Sequence, residues 1–150
     1  AVRAHPGGLL RMTPTVAETD DLSACLALRR AVFIEEQAVP EALEVDGLDA
    51  GGVHLLATLD GRPVGTARLL VEGDHAKIGR VAVLRELRGR GIGAAIMREA
   101  VAALRRRGVR EARLGAQVHA LAFYEGLGWE VHGPEFDDAG IPHRAMRLAL

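Results

Sequence analysis

The chain is poor in residues that carry several kinds of chemistry. Among its 150 residues there is one cysteine, Cys25, one tyrosine, Tyr124, and one tryptophan, Trp129. Ser23 is the only serine and Lys77 the only lysine, which makes the other 18 of its 19 basic residues arginine; by itself that preference carries no functional inference. A single cysteine cannot form an intramolecular disulfide and excludes a cysteine-based zinc cluster, and it fits a reducing, cytoplasmic setting. The six histidines contain no His-x-x-x-His pair, so no metal site of ordinary spacing is expected. Ser23 has no Gly-x-Ser-x-Gly setting and falls inside the first helical run, which argues against serine hydrolysis. There is no apolar run of about 18 residues and no signal-peptide pattern over Ala1 to Arg11, so a soluble, untargeted protein is expected. Charged residues make up 26% with a formal net charge of -1, a balance that favours neither nucleic acid nor an anionic membrane as partner. Any recognition of phosphate must therefore be local.

The length suits a single domain over residues 1–150, with residues 1–11 as a frayed terminus. Thr13 to Glu18 alternates weakly and reads as a first strand, and Asp20 or Asp21 can cap a helix running to about Gln37 with Leu22, Cys25, Leu26, Phe33 and Ile34 as its apolar stripe. Pro40 stops that helix, and Glu41 to Asp49 reads as a charged loop or short turn. Val53 to Leu59 and Val64 to Val71 are strands joined at Asp60-Gly61, and Gly73-Asp74 marks a second turn before a strand ending near Leu84. From Ala94 to Arg107, Ile96, Ala100 and Leu104 recur every four residues, the pattern of a helix with one face in the core. Val109 to Ala116 reads as a strand, Ala120 to Leu127 as a short helix, and Trp129 to His132 and His143 to Leu150 as two strands separated by a loop rich in Gly, Asp and Pro. The order implies an α/β (α+β) fold: a mixed, mostly antiparallel sheet of six to seven strands with helices on both faces.

Between the strand ending near Leu84 and the helix from Ala94 lies Arg88-Gly89-Arg90-Gly91-Ile92-Gly93. A helix leaves its first N–H groups without intrahelical partners and carries partial positive charge there, so an anion docks well at that end. Glycines at alternate positions let the backbone approach phosphate closely, and Arg88 and Arg90 add charged donors at the rim. Gly89 to Ala94 also satisfies Gly-x-Gly-x-x-Gly/Ala, but Arg85 to Arg88 separate it from its strand and Glu111 comes too early in the next strand to hold a ribose. A P-loop is excluded because no Gly-Lys-Ser/Thr follows.

Two stretches resemble one family. Arg80 to Val83 followed by Leu87 to Met97 is similar to the acyl-CoA signature of the GNAT superfamily of N-acyltransferases, in which a strand runs into an Arg/Gln-x-x-Gly-x-Gly/Ala loop. Ala116 to Trp129, with Phe123-Tyr124-Glu125, resembles the second GNAT motif. Arg29 to Pro40 and Gly140 to Met146 are similar to segments of its ElaA-like branch. The resemblance implies an enzyme that transfers an acetyl group from acetyl-CoA directly to an amine in a ternary complex. It also implies that Val81, Ala82 and Val83 pair with the pantetheine arm and that the amides of Arg88 to Ala94 hold the pyrophosphate. Gln117 stands where the motif usually has Asn and offers the arm a further hydrogen bond. Sheet edges commonly pair in this superfamily, so a homodimer is an allowed assembly.

When acyl-CoA is attacked, the departing thiolate needs a proton, and a phenol of ordinary pKa about 10 is protonated and able to donate near neutrality. Tyr124, at the motif's position, is the candidate acid; the structural alternative is a tyrosine packed between helix and sheet with its hydroxyl satisfied locally. The amine must be neutral to attack, so a carboxylate, a histidine or an ordered water should accept its proton, and Lys77 fills the strand position where many GNAT proteins place an acid. Glu35, Glu36, Glu44, Asp46, His54 and His119 remain candidates, with Glu35 and His119 carried forward beside Tyr124. Ala31 to Val53 holds six acids and no Lys or Arg, which would favour a cationic amine if it roofs the acceptor side and is otherwise a solvated acidic loop. A non-catalytic acyl-CoA sensor or interaction module is the rival to the transferase.

Overall fold

The computed structural model describes residues 13–150, so the expected frayed terminus over residues 1–11 lies outside the described residues. Strand β1 (Thr15–Thr19) leads to helix α1 (Leu22–Arg29), which Asp21 caps by accepting a hydrogen bond from the Ala24 N–H at 3.2 Å. The helix continues in π register over Arg30–Glu36, where the Gln37 N–H reaches back to the Val32 carbonyl at 3.1 Å. Its buried face is Cys25, Leu28, Arg29 and Val32, spaced for one side of a helix. The expected stripe is corrected here: Leu26 and Ile34 are only half-buried, and an arginine occupies the core side.

After Pro40 the expected charged loop opens with one helical turn, α2 (Glu41–Glu44). Strands β2 (Val53–Leu59), β3 (Arg62–Glu72) and β4 (His75–Val83) form an antiparallel meander. Asp60 and Gly61, at φ 50° and 78°, make the tight turn that an Asp-Gly pair favours. A 3-10 turn (Arg85–Leu87) precedes helix α3 (Ile92–Arg106), strand β5 (Glu111–Gln117), a second 3-10 turn (Val118–Ala120) and helix α4 (Leu121–Gly126). Strands β6 (Glu130–Asp138) and β7 (Ile141–Ala149) close the chain as a hairpin. The loop expected between the last two strands is therefore mostly strand. Gly133-Pro134 reads as a breaker, but it falls where the β6–β7 register shifts between Val131 and Glu135, on an edge strand, where a missing N–H and an irregular backbone are tolerated.

The seven strands form one sheet in the order β1-β2-β3-β4-β5-β7-β6, every pair antiparallel except β4–β5. Helices lie on both faces, and β3 shows how the faces divide. Ala67 and Leu69 join the core built on Ile96, Met97, Ala100 and Leu104 of α3, and a Cβ at Gly65 would lie 2.7 Å from the Ile96 Cδ1, so only glycine lets α3 settle this close. On the opposite face Thr66 and Arg68 turn toward α1 and the segment after it.

That second face is held by charge. Arg29, 1% exposed, donates to Glu44 at 2.9 and 2.8 Å and to Asp49 at 2.8 Å, while Glu44 is itself 3% exposed. Arg68 donates to Asp46 at 2.8 and 2.9 Å and to Asp49 at 3.0 Å, and Arg80 to Glu44 at 3.0 Å and Asp46 at 3.1 Å. Three arginines from α1, β3 and β4 thus converge on three acids, so almost every buried lone pair is used.

Hydrogen bonds from Arg68 hold Asp46 well below the usual carboxylate range. Burial pushes Asp49 up, and hydrogen bonds from Arg29 and Arg68 more than offset it, leaving that group lowered as well. A carboxylate depressed in the folded state stabilises fully above its unfolded value of about 3.9 and loses that contribution as pH falls through the folded value. Unfolding free energy from urea titrations is therefore expected to fall steadily below about pH 4. Arg29→Met should cost about 3–5 kcal/mol at neutral pH, because it strands Glu44 and Asp49 without their central partner.

Candidate active site

The β4–β5 ladder contains only His75↔Glu111, Ala76↔Ala112 and Lys77↔Arg113. Beyond it the two parallel strands part toward their carboxyl ends, and a cavity of about 620 Å³ fills the gap. At the point of parting, Arg80 has φ 52° and the β3–β4 register shifts between Thr66 and Arg68. A left-handed backbone at a non-glycine residue costs roughly 1–2 kcal/mol, and the Arg80 side chain is fixed by Glu44, Asp46 and the Glu44 carbonyl at 2.9 Å.

One wall is the end of β4 with the glycine loop. Val81, Ala82 and Val83 line the cavity, as do Arg88, Gly89, Gly91, Ile92, Gly93 and Ala94. Gly91 takes φ 81° as the residue before α3, and a Cβ there would meet nothing within 4 Å, so the space above the loop is open. The first helical hydrogen bond runs from the Ala95 N–H to the Gly91 carbonyl at 3.0 Å, leaving the N–H groups of Ile92, Gly93 and Ala94 ahead of it without intrahelical acceptors. They form a site for an anion at the end of a fifteen-residue helix.

The two arginines differ from expectation. Arg90 is exposed and does not line the cavity. Arg88 lines it, but its guanidinium is clasped: Nε donates to the Val83 carbonyl at 3.0 Å and both terminal nitrogens to Glu36 at 2.6 Å. That bidentate pair raises the Arg88 pKa and lowers that of Glu36.

The other wall comes from β5, the turn after it and α4. Gln117 Nε2 donates to Gln37 Oε1 at 3.0 Å, and Gln117 Oε1 lies 2.6 Å from His119 Nε2. In that chain His119 Nε2 is the donor, so its lone pair lies on Nδ1, on an exposed ring at the turn after β5. Tyr124 lines the cavity between Phe123 and Trp129, edge-on to both at 5.0 and 6.4 Å. Burial pushes its phenol up to about 12, and its hydroxyl makes no hydrogen bond among the described residues.

The remaining base candidates are dispersed. Glu35 is exposed and outside the cavity, and His54 faces a different cavity, with Nε2 2.9 Å from the Asp49 carbonyl. Glu44 and Asp46 are occupied by arginines, as is Glu36. The acid-rich segment is thus neither a free roof nor a solvated loop: Glu41 pairs with Arg30, and among the described residues only Glu35 of its six acids lacks an arginine partner. Composition did signal those acids, but their partners Arg29, Arg68 and Arg80 are scattered along the chain and no local pattern pairs them with the segment. Sequence reasoning placed the last two strands but ended β6 at His132, and so missed Phe136 and His143 as residues that line the cavity. Among the described residues no group of three or more His, Cys, Asp or Glu is placed to hold a metal, and no helix is long and apolar enough to cross a membrane.

Residues 16–150 match the family described as an acetyltransferase (GNAT) domain. The chain is 37% identical over 129 residues to YyaT of Bacillus subtilis, covering 84% of this chain and 87% of that protein. It is 33% identical over 130 residues to ElaA of Escherichia coli, covering 83% and 85%. The crystal structure of an acyl-CoA N-acyltransferase from Pseudomonas aeruginosa superimposes with a TM-score of 0.78 at 34% identity, covering 91% of this chain and 98% of that one. YyaT matches as well as ElaA does, so the likeness singles out no branch. With a parallel strand pair that opens onto a glycine loop and a matching family over nearly its whole length, the chain belongs to the GNAT acetyltransferases.

Proposed function

We propose that this protein is a single-domain N-acetyltransferase that moves an acetyl group from acetyl-CoA directly to an amine of a small molecule. The observation that carries the reading is the parting of β4 from β5 beside the α3 N-terminus. The half of β4 that faces the cavity has no ladder partner on that side, and a strand edge inside a sheet is a site for an extended amide-bearing chain. Pantetheine is such a chain, and the three unpartnered N–H groups at the start of α3 suit the pyrophosphate that follows it. The name of the Pseudomonas aeruginosa relative, an acyl-CoA N-acyltransferase, supports an acyl-CoA as donor.

In this reading Val81 and Val83 offer backbone groups to the pantetheine, and the amides of Gly91 to Ala94 receive the pyrophosphate. Arg88 contributes backbone, with its guanidinium bracing the loop against Glu36. Gln117 spans the cavity to Gln37 and limits the depth at which the arm can lie. Tyr124 donates first a hydrogen bond and then its proton to the departing sulfur. Held at about 12, the phenol is protonated throughout the range in which an enzyme works.

Acceptor-dependent release of free CoA thiol is expected, and Tyr124→Phe should lower kcat by about 10²–10⁴ with little change in acetyl-CoA affinity. Acetyl-CoA binding without turnover across a broad amine panel would overturn catalysis in favour of a binding module. Gly91→Glu should abolish acetyl-CoA binding measured by calorimetry, since it puts a side chain and a negative charge over the amides. It costs only roughly 1–2 kcal/mol of stability from its positive φ. Retained affinity would place the donor elsewhere.

A further inference from the structure

The acyl-transfer reading requires a base for the amine, and every carboxylate expected to serve is bound to an arginine or lies away from the cavity. His119 donates through Nε2 to Gln117 and keeps a lone pair on Nδ1, but its ring is exposed at the turn and is not held by burial. One histidine stands differently. His143 sits at the start of β7, 8% exposed, and lines the cavity opposite Gln117 in the β5–β7 ladder. Its Nδ1 lies 2.7 Å from the Ile141 carbonyl, which can only accept, so Nδ1 carries the hydrogen and Nε2 the free lone pair. Nε2 has no hydrogen-bond partner among the described residues and is not a sealed, buried atom.

The ring is also held. It stacks on Phe136 with centroids 5.7 Å apart and planes at 26°. Gly115, two residues before Gln117 and on the same face of β5, makes the space: a Cβ there would lie 3.3 Å from Phe136 Cζ and 4.0 Å from His143 Cδ2. The Cδ2 side of the ring therefore packs beside Gly115, just past the point where β5 leaves β4. The other ionisable groups that line the cavity are Asp138 of the hairpin, His119 of the turn, Tyr124 of α4, Lys77 and Arg80 across on β4, Glu44, which is held by Arg29 and Arg80, and Arg88, which is held by Glu36. Among the described residues Asp138 has no side-chain partner, but it is exposed at the hairpin tip, and an exposed carboxylate is a weak base near neutrality where imidazole is an effective one.

We propose that His143 is the general base for the acceptor amine, with Gly115, Phe136 and the Ile141 carbonyl setting its tautomer and direction. As the amine nitrogen's lone pair forms the C–N bond, one N–H proton passes to His143 Nε2. The C–S bond breaks with its electron pair on sulfur, and sulfur takes the Tyr124 proton. The imidazolium then returns a proton through solvent to the phenolate, so the products are the amide and free CoA thiol and the enzyme is restored.

The test uses the full chain, wild type and His143→Gln, at saturating acetyl-CoA. Its probe is semicarbazide, a nitrogen nucleophile that stays neutral from about pH 5.5 to about pH 9, a window spanning the ordinary imidazole range. His143→Gln is expected to lose about 10²–10⁴ in kcat and the acid limb of the pH–rate profile, with acetyl-CoA affinity unchanged, whereas Tyr124→Phe keeps that limb. A His143→Gln protein with the wild-type rate and acid limb overturns the assignment alone. A wild-type protein that releases no thiol with semicarbazide or any amine of the panel overturns the acyl-transfer reading, and the assignment falls with it. Should the variant fold poorly, ¹⁵N chemical shifts of wild-type His143 decide instead: a protonated Nδ1 with an unprotonated Nε2 supports the proposal, and the opposite tautomer overturns it.

Discussion

The architecture depends on the separation of β4 and β5 after three paired residues. Two parallel strands in one sheet gain hydrogen bonds and cross-strand packing by staying together, so something must hold them apart. The register shift against β3 supplies the geometry, since a bulge bends its strand and increases the local twist. Arg80 supplies the restraint. Its backbone sits in a region unfavourable for a side-chain-bearing residue, and its guanidinium is tied to Glu44 and Asp46, which Arg29 and Arg68 hold in turn. A buried network of this kind contributes little net stability beyond what an apolar core of the same volume would give. Its contribution is directional: it fixes where the end of β4 lies relative to α1, and that position leaves the cavity open.

The same separation sets the chemistry available. It brings strand backbone, the amide end of α3 and Tyr124 to one half-open cavity. Burial there keeps the phenol protonated, and in the proposed reaction the same low local dielectric would strengthen hydrogen bonds to developing charge. The cavity is closed on the far side by Phe33 and Gln37 at the end of the first helix and by the β6–β7 hairpin. The π register over Arg30–Glu36 determines which side chains of that helix face inward, and it delivers Glu36 to Arg88. The glycine loop is thereby braced from outside, and its backbone amides face the open space.

Elements whose signal is local were legible in the sequence. β2, the Asp60-Gly61 turn, α3 and the glycine loop follow from periodicity, turn chemistry and helix-start rules that involve neighbouring residues only. Tyr124 and most of the cavity-lining loop were reached through motif spacing. What stayed hidden depends on contacts between distant residues. Arg29, Arg68 and Arg80 lie 15 to 36 positions from the Glu44, Asp46 and Asp49 that they bind, and nothing in a linear pattern pairs residues so far apart. β6 was broken in the reading at Gly133-Pro134 because local rules count both as interruptions, and an edge strand can absorb them in a bulge. With β6 lost, His143 and Phe136 had no site to belong to.

That displacement of attention from the acidic segment to the hairpin changes how acceptor choice must work. Six acids without an intervening base suggested long-range attraction for a cationic amine. Five of them are matched by Arg29, Arg30, Arg68, Arg80 and Arg88, and a matched pair presents a dipole whose field decays quickly and is screened within about 10 Å at ordinary salt. The unmatched acid, Glu35, faces away from the cavity. The charges that remain inside are of both signs, Lys77 on β4 and Asp138 on the hairpin, so they orient an acceptor by position and do not select it by net charge. In the proposed reaction, discrimination then rests on shape at the β6–β7 hairpin, where Phe136 lies against Gly115, and on whether the acceptor nitrogen can reach Nε2 of His143.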